Sequence, residues 1–407
     1  MGSLVYRQQG DGVPLYEGEL VLRTAGQDVK TNGLLELQLT HKAQVIAHVH
    51  GPEVVALHDV ERSHQVSIPG GASLEPPASG EEDAGVPLAL GQPITAGDPA
   101  ACTRLVIHVV GPLRVDLTGA VGFRLPGWSL RLDHVVDATF SYVVEATPDD
   151  AVTAEDADEL VSRLAALFSF VACWDVGVYP YCGLDDSGRV CWIVLAPPRF
   201  RPGSAGIRWT SAPEAADALV ALAEGMTTLA QDDAADQIVR RAVALLTPAH
   251  GTEVVEVRVL TACAALELLS WAVLQWEGWF TELGELNDLS AAARLRLLLQ
   301  WAGIDPVLNA SLHDLRDWAT DGAGGPEAIV QVRNRILHPA QKAKWLRDPQ
   351  WPPGAVVVDA WHLAVEYAEL VLLRLLGFNG KYGTRLGPRR AERDLKPVPW
   401  APEAAGT

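Results

Sequence analysis

Cysteine is scarce in this chain, and the few present do not pair by pattern. Cys102, Cys173, Cys182, Cys191 and Cys263 are odd in number and none lies in a Cys-x-x-Cys spacing. Neither a disulfide framework nor a structural zinc site is expected. Positive charge is also short, with 32 Lys and Arg against 51 Asp and Glu and a formal net charge of −19. That balance argues against a broad basic face for bulk nucleic acid. The opening Met1-Gly2-Ser3-Leu4-Val5-Tyr6-Arg7 lacks the basic-then-apolar run of a signal peptide. Tyr6 also stands where a myristoylation signal needs Ser or Thr. No apolar run reads as membrane-spanning, since even Val365–Leu376 carries Glu366, Glu369 and Arg374. A cytoplasmic protein without membrane contact is expected. There is no Gly-x-x-x-x-Gly-Lys loop, no Gly-x-Gly-x-x-Gly and no Gly-x-Ser-x-Gly elbow. Nucleotide-dependent chemistry therefore has no support, and no cofactor is expected.

What is present is the composition of a folded protein, 48% apolar and 20% charged over 407 residues, long enough for two or three domains. The expected fold class is α+β, a β-rich N-terminal module followed by an all-α bundle. Leu34–Leu39, Val45–His50, Arg104–Val110, Leu113–Leu117, Trp128–Leu132 and Ala138–Glu145 read as strands. Pro69–Pro99, rich in Pro, Gly, Ala and acids, reads as a mobile excursion. Thr153 and Asp156 form a capping pattern that opens a helix to about Val171. A hairpin follows around Leu184-Asp185-Asp186-Ser187-Gly188. The Pro/Gly/Arg stretch Pro197–Gly206 marks the end of a module spanning 1–200.

From 207 to 380 the pattern is helical. Ser211-Ala212-Pro213-Glu214 reads as a capping box. Further helices are expected over Ala234–Leu246 (stopped by Pro248), Thr252–Glu277, Asp288–Trp301, Asp305–Trp318, Pro326 to Pro339, and Val356–Leu376. Short links imply antiparallel neighbours and an up-and-down bundle. Residues 381–407 read as a basic, Pro-containing tail.

Charge is unevenly spread. From Pro326 to Arg347 the only acid is Glu327, against Arg333, Arg335, Lys342, Lys344 and Arg347. Lys381, Arg385, Arg389, Arg390, Arg393 and Lys396 form a second basic cluster. An acidic chain with such a patch would draw an anion to that patch alone, although a solvated helix end is the commoner meaning of a charge run.

Within the first patch stands Val332-Arg333-Asn334-Arg335-Ile336-Leu337-His338-Pro339. Arginine offers a phosphate a bidentate fork. Histidine moves a proton near neutrality. Asn334, four residues from His338, shares its helix face and can orient a partner. Together Arg333, His338 and Asn334 suit metal-independent cleavage of RNA, in which the 2′-hydroxyl attacks the adjacent phosphate. Arg335, Lys342 and Lys344 are candidate RNA-binding residues. One helix supplies a single histidine, while the reaction wants a base and an acid, so a two-fold dimer is expected. The plainer meaning is a surface helix end capped by a histidine.

The motif resembles the Arg-x4–6-His signature of the HEPN superfamily, and its setting, a late bundle helix followed by one more long helix, is similar too. The resemblance implies a metal-independent endoribonuclease. Val178-Tyr179-Pro180, Gly183-Leu184-Asp185, Trp192, Leu376–Tyr382 and Val398-Pro399-Trp400 look similar to segments of bacterial ApeA-type proteins, which join a β-rich half to a HEPN domain. That implies an anti-phage or toxin-like effector, with a phage-derived trigger or antitoxin as partner and the first half as sensor. The alternative is a non-catalytic scaffold of the same fold.

Glu267, the only charge between Arg258 and Glu277, needs a partner on so apolar a helix. It is expected either to orient Arg333 or to reach solvent. His48 and His50 share a strand face but lack a third ligand. Asp185-Asp186-Ser187-Gly188 lacks the alternating oxygens of a calcium loop.

Overall fold

The computed structural model describes strand backbones between residues 13 and 97. It also describes most of residues 101–401, excluding 112, 118, 135–141, 180, 189, 196–207, 253, 281–282, 339–350 and 387–394. Six strands form one antiparallel sheet in the order β5-β4-β1-β2-β3-β6. They are β1 (Val13–Thr24), β2 (Gln27–Leu39), β3 (Val45–His50), β4 (His64–Ile68), β5 (Ala72–Leu74) and β6 (Val86–Pro87). His48 and His50 lie on β3, where only the backbone is described. Pro69–Pro99, expected to be irregular, contributes β5, β6 and β7 (Ile94–Gly97). β6 pairs with β3 and β7 with β13 (Val190–Leu195), distant partners that local composition does not encode, while β5 closes a short hairpin on β4.

A second sheet has the order β7-β13-β12-β8-β11-β10-β9, comprising β8 (Arg104–Val109), β9 (Val121–Leu125), β10 (Trp128–His134), β11 (Tyr142–Pro148), β12 (Tyr181–Leu184) and β13 (Val190–Leu195). Leu113–Leu117, expected as a strand, is irregular. Tyr142 instead brackets Val115, accepting from its N–H and donating to its carbonyl, both at 3.0 Å. Every residue of β8 after Arg104 is buried, so both faces of this strand are covered. Leu105, Ile107 and Val109 face the main core, and Val106 belongs to a smaller cluster with Cys182 and Leu184. His108, on the Val106 side by strand alternation, is driven down to about 4 by burial and is neutral.

Between β11 and β12 runs α1 (Ala154–Ala172), opened by a capping box in which Thr153 and Asp156 satisfy each other's backbone amides. Among the described residues, seven further helices and a hairpin follow α2 (Ala215–Leu229): α3 (Asp233–Gly251), α4 (Val255–Trp276), α5 (Leu283–Asp288), α6 (Ala291–Ala302), α7 (His313–Trp318), α8 (Gly325–Leu337), α9 (Gly354–Leu375), then β14 (Lys381–Gly383) paired with β15 (Leu395–Pro397). The chain is thus α+β, with a β-rich region at 104–150 and a helical C-terminal half. One hydrophobic core runs through both, from Cys102 on the sheet side to Val398 beyond β15.

Several helix boundaries depart from the local signals. The Ser211–Glu214 box does not form. Asp116 N–H bonds the carbonyl of Ala212 at 3.1 Å, and Glu214 takes the N-cap position in a helical conformation without a side-chain cap bond. Asp305-Pro306 does not open a helix either. Asp305 accepts from the N–H of Val307, and Asn309 from that of Ser311. Such Asx turns compete with helix, and α7 starts only at His313. Conversely, α3 runs through Pro248 to Gly251. Proline forfeits one bond here, near the end of the helix, and the extra turn carries His250 into the core.

Apolar residues surround α4, which packs against α3, α9, α6 and α8. It is long and apolar enough to cross a membrane by length and composition, and more than half of its most apolar stretch is buried inside the protein.

Candidate functional site

The motif lies on α8. Glu327 accepts from the N–H of Gly324 at 3.1 Å, closing the helix start, and Pro326 occupies the first turn, where its missing N–H costs nothing. Gly325, Ala328, Ile329 and Val332 form the buried stripe, at i, i+3, i+4 and i+7. Arg333 follows at the edge of that stripe, so its guanidinium reaches sideways to α4. Its Nη2 donates to Glu267 Oε2 at 3.0 Å, and its Nη1 to Asn334 Oδ1 at 3.1 Å. Glu267 is thus the partner of Arg333, while its side chain also stays partly open to solvent.

A third residue joins them that the sequence reading did not single out. Arg294 on α6 places Nη2 3.7 Å from Glu267 Oε1. Its Nη1 donates to the carbonyl of Leu289 at 2.7 Å, and its guanidinium stands 4.9 Å from the Trp271 ring centroid. One carboxylate therefore lies between two guanidiniums from different helices. All three are partly open, with side chains 36% (Glu267), 23% (Arg333) and 11% (Arg294) exposed. Glu267 and Arg333 line one side of a groove open to solvent, walled otherwise chiefly by Cys263, Leu266, Ser270, Leu295, Ile329 and Val330. Burial pushes the Cys263 thiol up to about 12, so it is not a nucleophile at neutral pH.

His338 is the C-cap of α8, its N–H bonded to the carbonyl of Asn334 at 3.0 Å, and its side chain is exposed. The described hydrogen bonds of Arg333 go to Asn334 and Glu267, and none joins it to His338. The structure thus brings Arg333, Asn334 and Glu267 together and leaves His338 at the open helix end. Arg335 is half-buried. Lys342 and Lys344 lie outside the described residues.

The second basic cluster is corrected at Arg385. It is not a surface cation but is buried, its side chain 1% exposed, and forms a bidentate pair with Glu369 of α9: Nη2 to Oε1 at 2.6 Å and Nε to Oε2 at 2.8 Å. The stretch from Lys381, expected as a tail, begins as the β14–β15 hairpin, with Tyr382 and Val398 buried and Trp400 donating to the carbonyl of Phe378.

Around the pair, Arg385 Nη2 lies 3.2 Å from His250 Nδ1. A guanidinium only donates, so Nδ1 accepts and the imidazole proton sits on Nε2, 3.6 Å from Glu369 Oε1. Burial, with Arg385 beside it, holds His250 well below its usual range and neutral. The Cys173 thiol, pushed up to about 12 by burial and Glu369, donates to Glu369 Oε1 at 3.5 Å. Cys173, His250 and Glu369 have the types and proximity of a metal set, with ligand atoms within 4.8 Å of one another. Arg385 already supplies the cation there and occupies both oxygens of Glu369, so the residues present do not fit a metal.

With this geometry in place, the comparisons with known proteins divide the chain. Residues 232–395 match the YopA C-terminal domain. The match opens at the N-cap Asp232 of α3 and closes at Leu395 in β15, so it takes in Glu267, Arg294, Arg333, His338 and, of the Arg385 cluster, His250, Glu369 and Arg385 but not Cys173, and leaves out the six- and seven-stranded sheets, α1 and α2. The chain is also 24% identical over 253 residues to the SPbeta prophage-derived uncharacterized protein YopA of Bacillus subtilis (strain 168), covering 62% of this chain and 55% of that protein. It spans about half the length of the curated relative it matches. No solved structure matches.

Proposed function

We propose that this protein is a metal-independent endoribonuclease of HEPN type, acting as a dimer through α8. The observation that carries the reading is the disposition of the motif. Arg333 and Asn334 are bonded to each other in the penultimate turn, and His338 is exposed at the open C-terminal end of the same helix. In this reading Arg333 holds the scissile phosphate, His338 moves the proton of the 2′-hydroxyl or of the leaving 5′-oxygen, and Asn334 orients Arg333. A second copy supplies the second histidine. Arg335, and Lys342 and Lys344 a few residues on in the sequence, are the candidate RNA-binding residues. The kinship with a prophage-encoded protein fits an effector in the contest between phage and host, with the β-rich half as regulator.

The test is cleavage of RNA in EDTA by the wild type, Arg333→Ala and His338→Ala. Activity in the wild type and a loss of at least about a hundredfold in each variant is expected. Equal activity in all three, or none in the wild type, sinks the reading. A second reading, a scaffold of the same fold, is favoured by one observation: Arg333 is already committed to Glu267 and Asn334. It predicts variants that leave RNA untouched and change only assembly.

A further inference from the structure

The commitment of Arg333 has a chemical meaning of its own. Two arginines, from α6 and α8, converge on the single carboxylate of Glu267, Arg333 at 3.0 Å and Arg294 at 3.7 Å on opposite oxygens. A carboxylate held between two guanidiniums occupies the place that a phosphate oxyanion takes in an arginine cradle. Arg294 is fixed there by the Leu289 carbonyl and the face of Trp271. Its position does not depend on Glu267 alone, and it would stay if the carboxylate left. Glu267 lies on α4 with a flexible stem and more than a third of its side chain exposed, so it can swing out. Glu267 and Arg333 line a groove open to solvent, the side from which an outside anion would approach.

We propose that Glu267 is an internal stand-in for phosphate. Arg294 and Arg333 form a two-arginine phosphodiester site that is closed in the free protein, and nucleic acid enters by displacing Glu267. This rests on the ribonuclease reading for the identity of the anion and adds to it a second phosphate-binding residue, Arg294, and a built-in brake. An acid one bond from the substrate's place lowers affinity by competition, and a chain whose cutting must be restrained gains a threshold from it.

Binding, uncoupled from cutting, tests this. The probe is a 2′-O-methylated oligoribonucleotide, which lacks the attacking hydroxyl and cannot be cleaved. Its affinity is measured on the full chain with wild type, Glu267→Gln, Arg294→Gln and the double variant, with inorganic phosphate as competitor. Glu267→Gln should bind tighter, by up to about fivefold, the factor that removing a competing partly exposed ion pair gives. Arg294→Gln should weaken binding, and the double variant should lose the gain. Equal or weaker binding by Glu267→Gln overturns the proposal and makes Glu267 a positioning residue for Arg333. Unchanged binding by Arg294→Gln overturns it from the other side, should Glu267→Gln fail to fold. A preference for an acidic peptide over the oligonucleotide overturns the assignment of the anion. Tight binding without any RNA cleavage by the wild type leaves this inference standing and sinks the ribonuclease reading, so the two failures are distinct.

Discussion

Arg385 lies 16 residues beyond Glu369 in the chain and closes a bidentate ion pair on it inside the core, at 2.6 and 2.8 Å. It fastens the C-terminal hairpin to α9 and, through His250 and Cys173, to the ends of α3 and α1. Removing one partner of such a pair leaves the other charge buried and uncompensated. Arg385→Ala should therefore cost about 3–5 kcal/mol. Denaturant unfolding followed by tryptophan fluorescence measures it. A cost below about 1 kcal/mol would mean that the pair is exposed in solution.

Glu366, one turn before Glu369, accepts from the Thr384 hydroxyl at 2.8 Å and from the Arg385 N–H at 2.6 Å. Burial nonetheless dominates and raises its carboxyl from 4.5 to about 7. Folded Glu366 holds its proton through that range, and unfolded Glu366 has released it. The unfolded state then binds fewer protons, so this contribution to stability is full below pH 4.5 and is lost as pH rises to about 7. The slope is about 1.4 kcal/mol per pH unit within the window. Glu366→Gln should remove it, as seen by comparing denaturation midpoints across that range.

His250 contributes with the opposite sign. Its folded form is held neutral well below 6.5, so the unfolded state takes up the proton first. Stability from this source is present above pH 6.5 and is lost as the pH falls below it. His250→Gln, which keeps a polar group without the titration, should flatten the acid limb of the stability profile. An unchanged acid limb would show that other groups set it.

The Arg333–Glu267 pair is partly exposed, and its worth to stability is correspondingly small. Arg333→Ala should lower stability by about 0–1 kcal/mol, measured by thermal or denaturant unfolding. A loss of several kcal/mol would turn the effect of this variant on any activity into a folding effect.

Gly225, in the middle of α2, sits against the end of α9. A Cβ there would meet the carbonyl oxygen of Leu376 at 2.1 Å. Backbone cannot turn away as a side chain can, so Gly225→Ala should cost about 1–3 kcal/mol or more, although alanine is the better helix former. A stabilised variant would show that α2 does not pack this closely.

Much of the architecture is local in origin and was readable from the chain. The Thr153–Asp156 box, Gly303 at the end of α6 and Pro326 at the head of α8 act on their own neighbours, and those helix ends form where their signals stand, while α6 starts at Ala291 behind Ser290 rather than at the expected Asp288. Where the local signal had a competitor, it failed. Asx turns at Asp305 and Asn309 displaced a helix start, and tertiary packing carried α3 past Pro248.

The site divides in the same way. The sequence by itself determined which residue types lie together on one helix: Arg333, Asn334 and His338, with Glu267 as a charge needing a partner. Only the tertiary structure decided that Glu267 lies between Arg333 and Arg294, and that Arg385, one of a run of cations, is in the core while Lys381 is exposed. The reason is physical. Helix geometry follows from residues three or four apart, whereas Glu267 and Arg333 are separated by 66 positions and meet only because α4 and α8 bury their apolar stripes against each other.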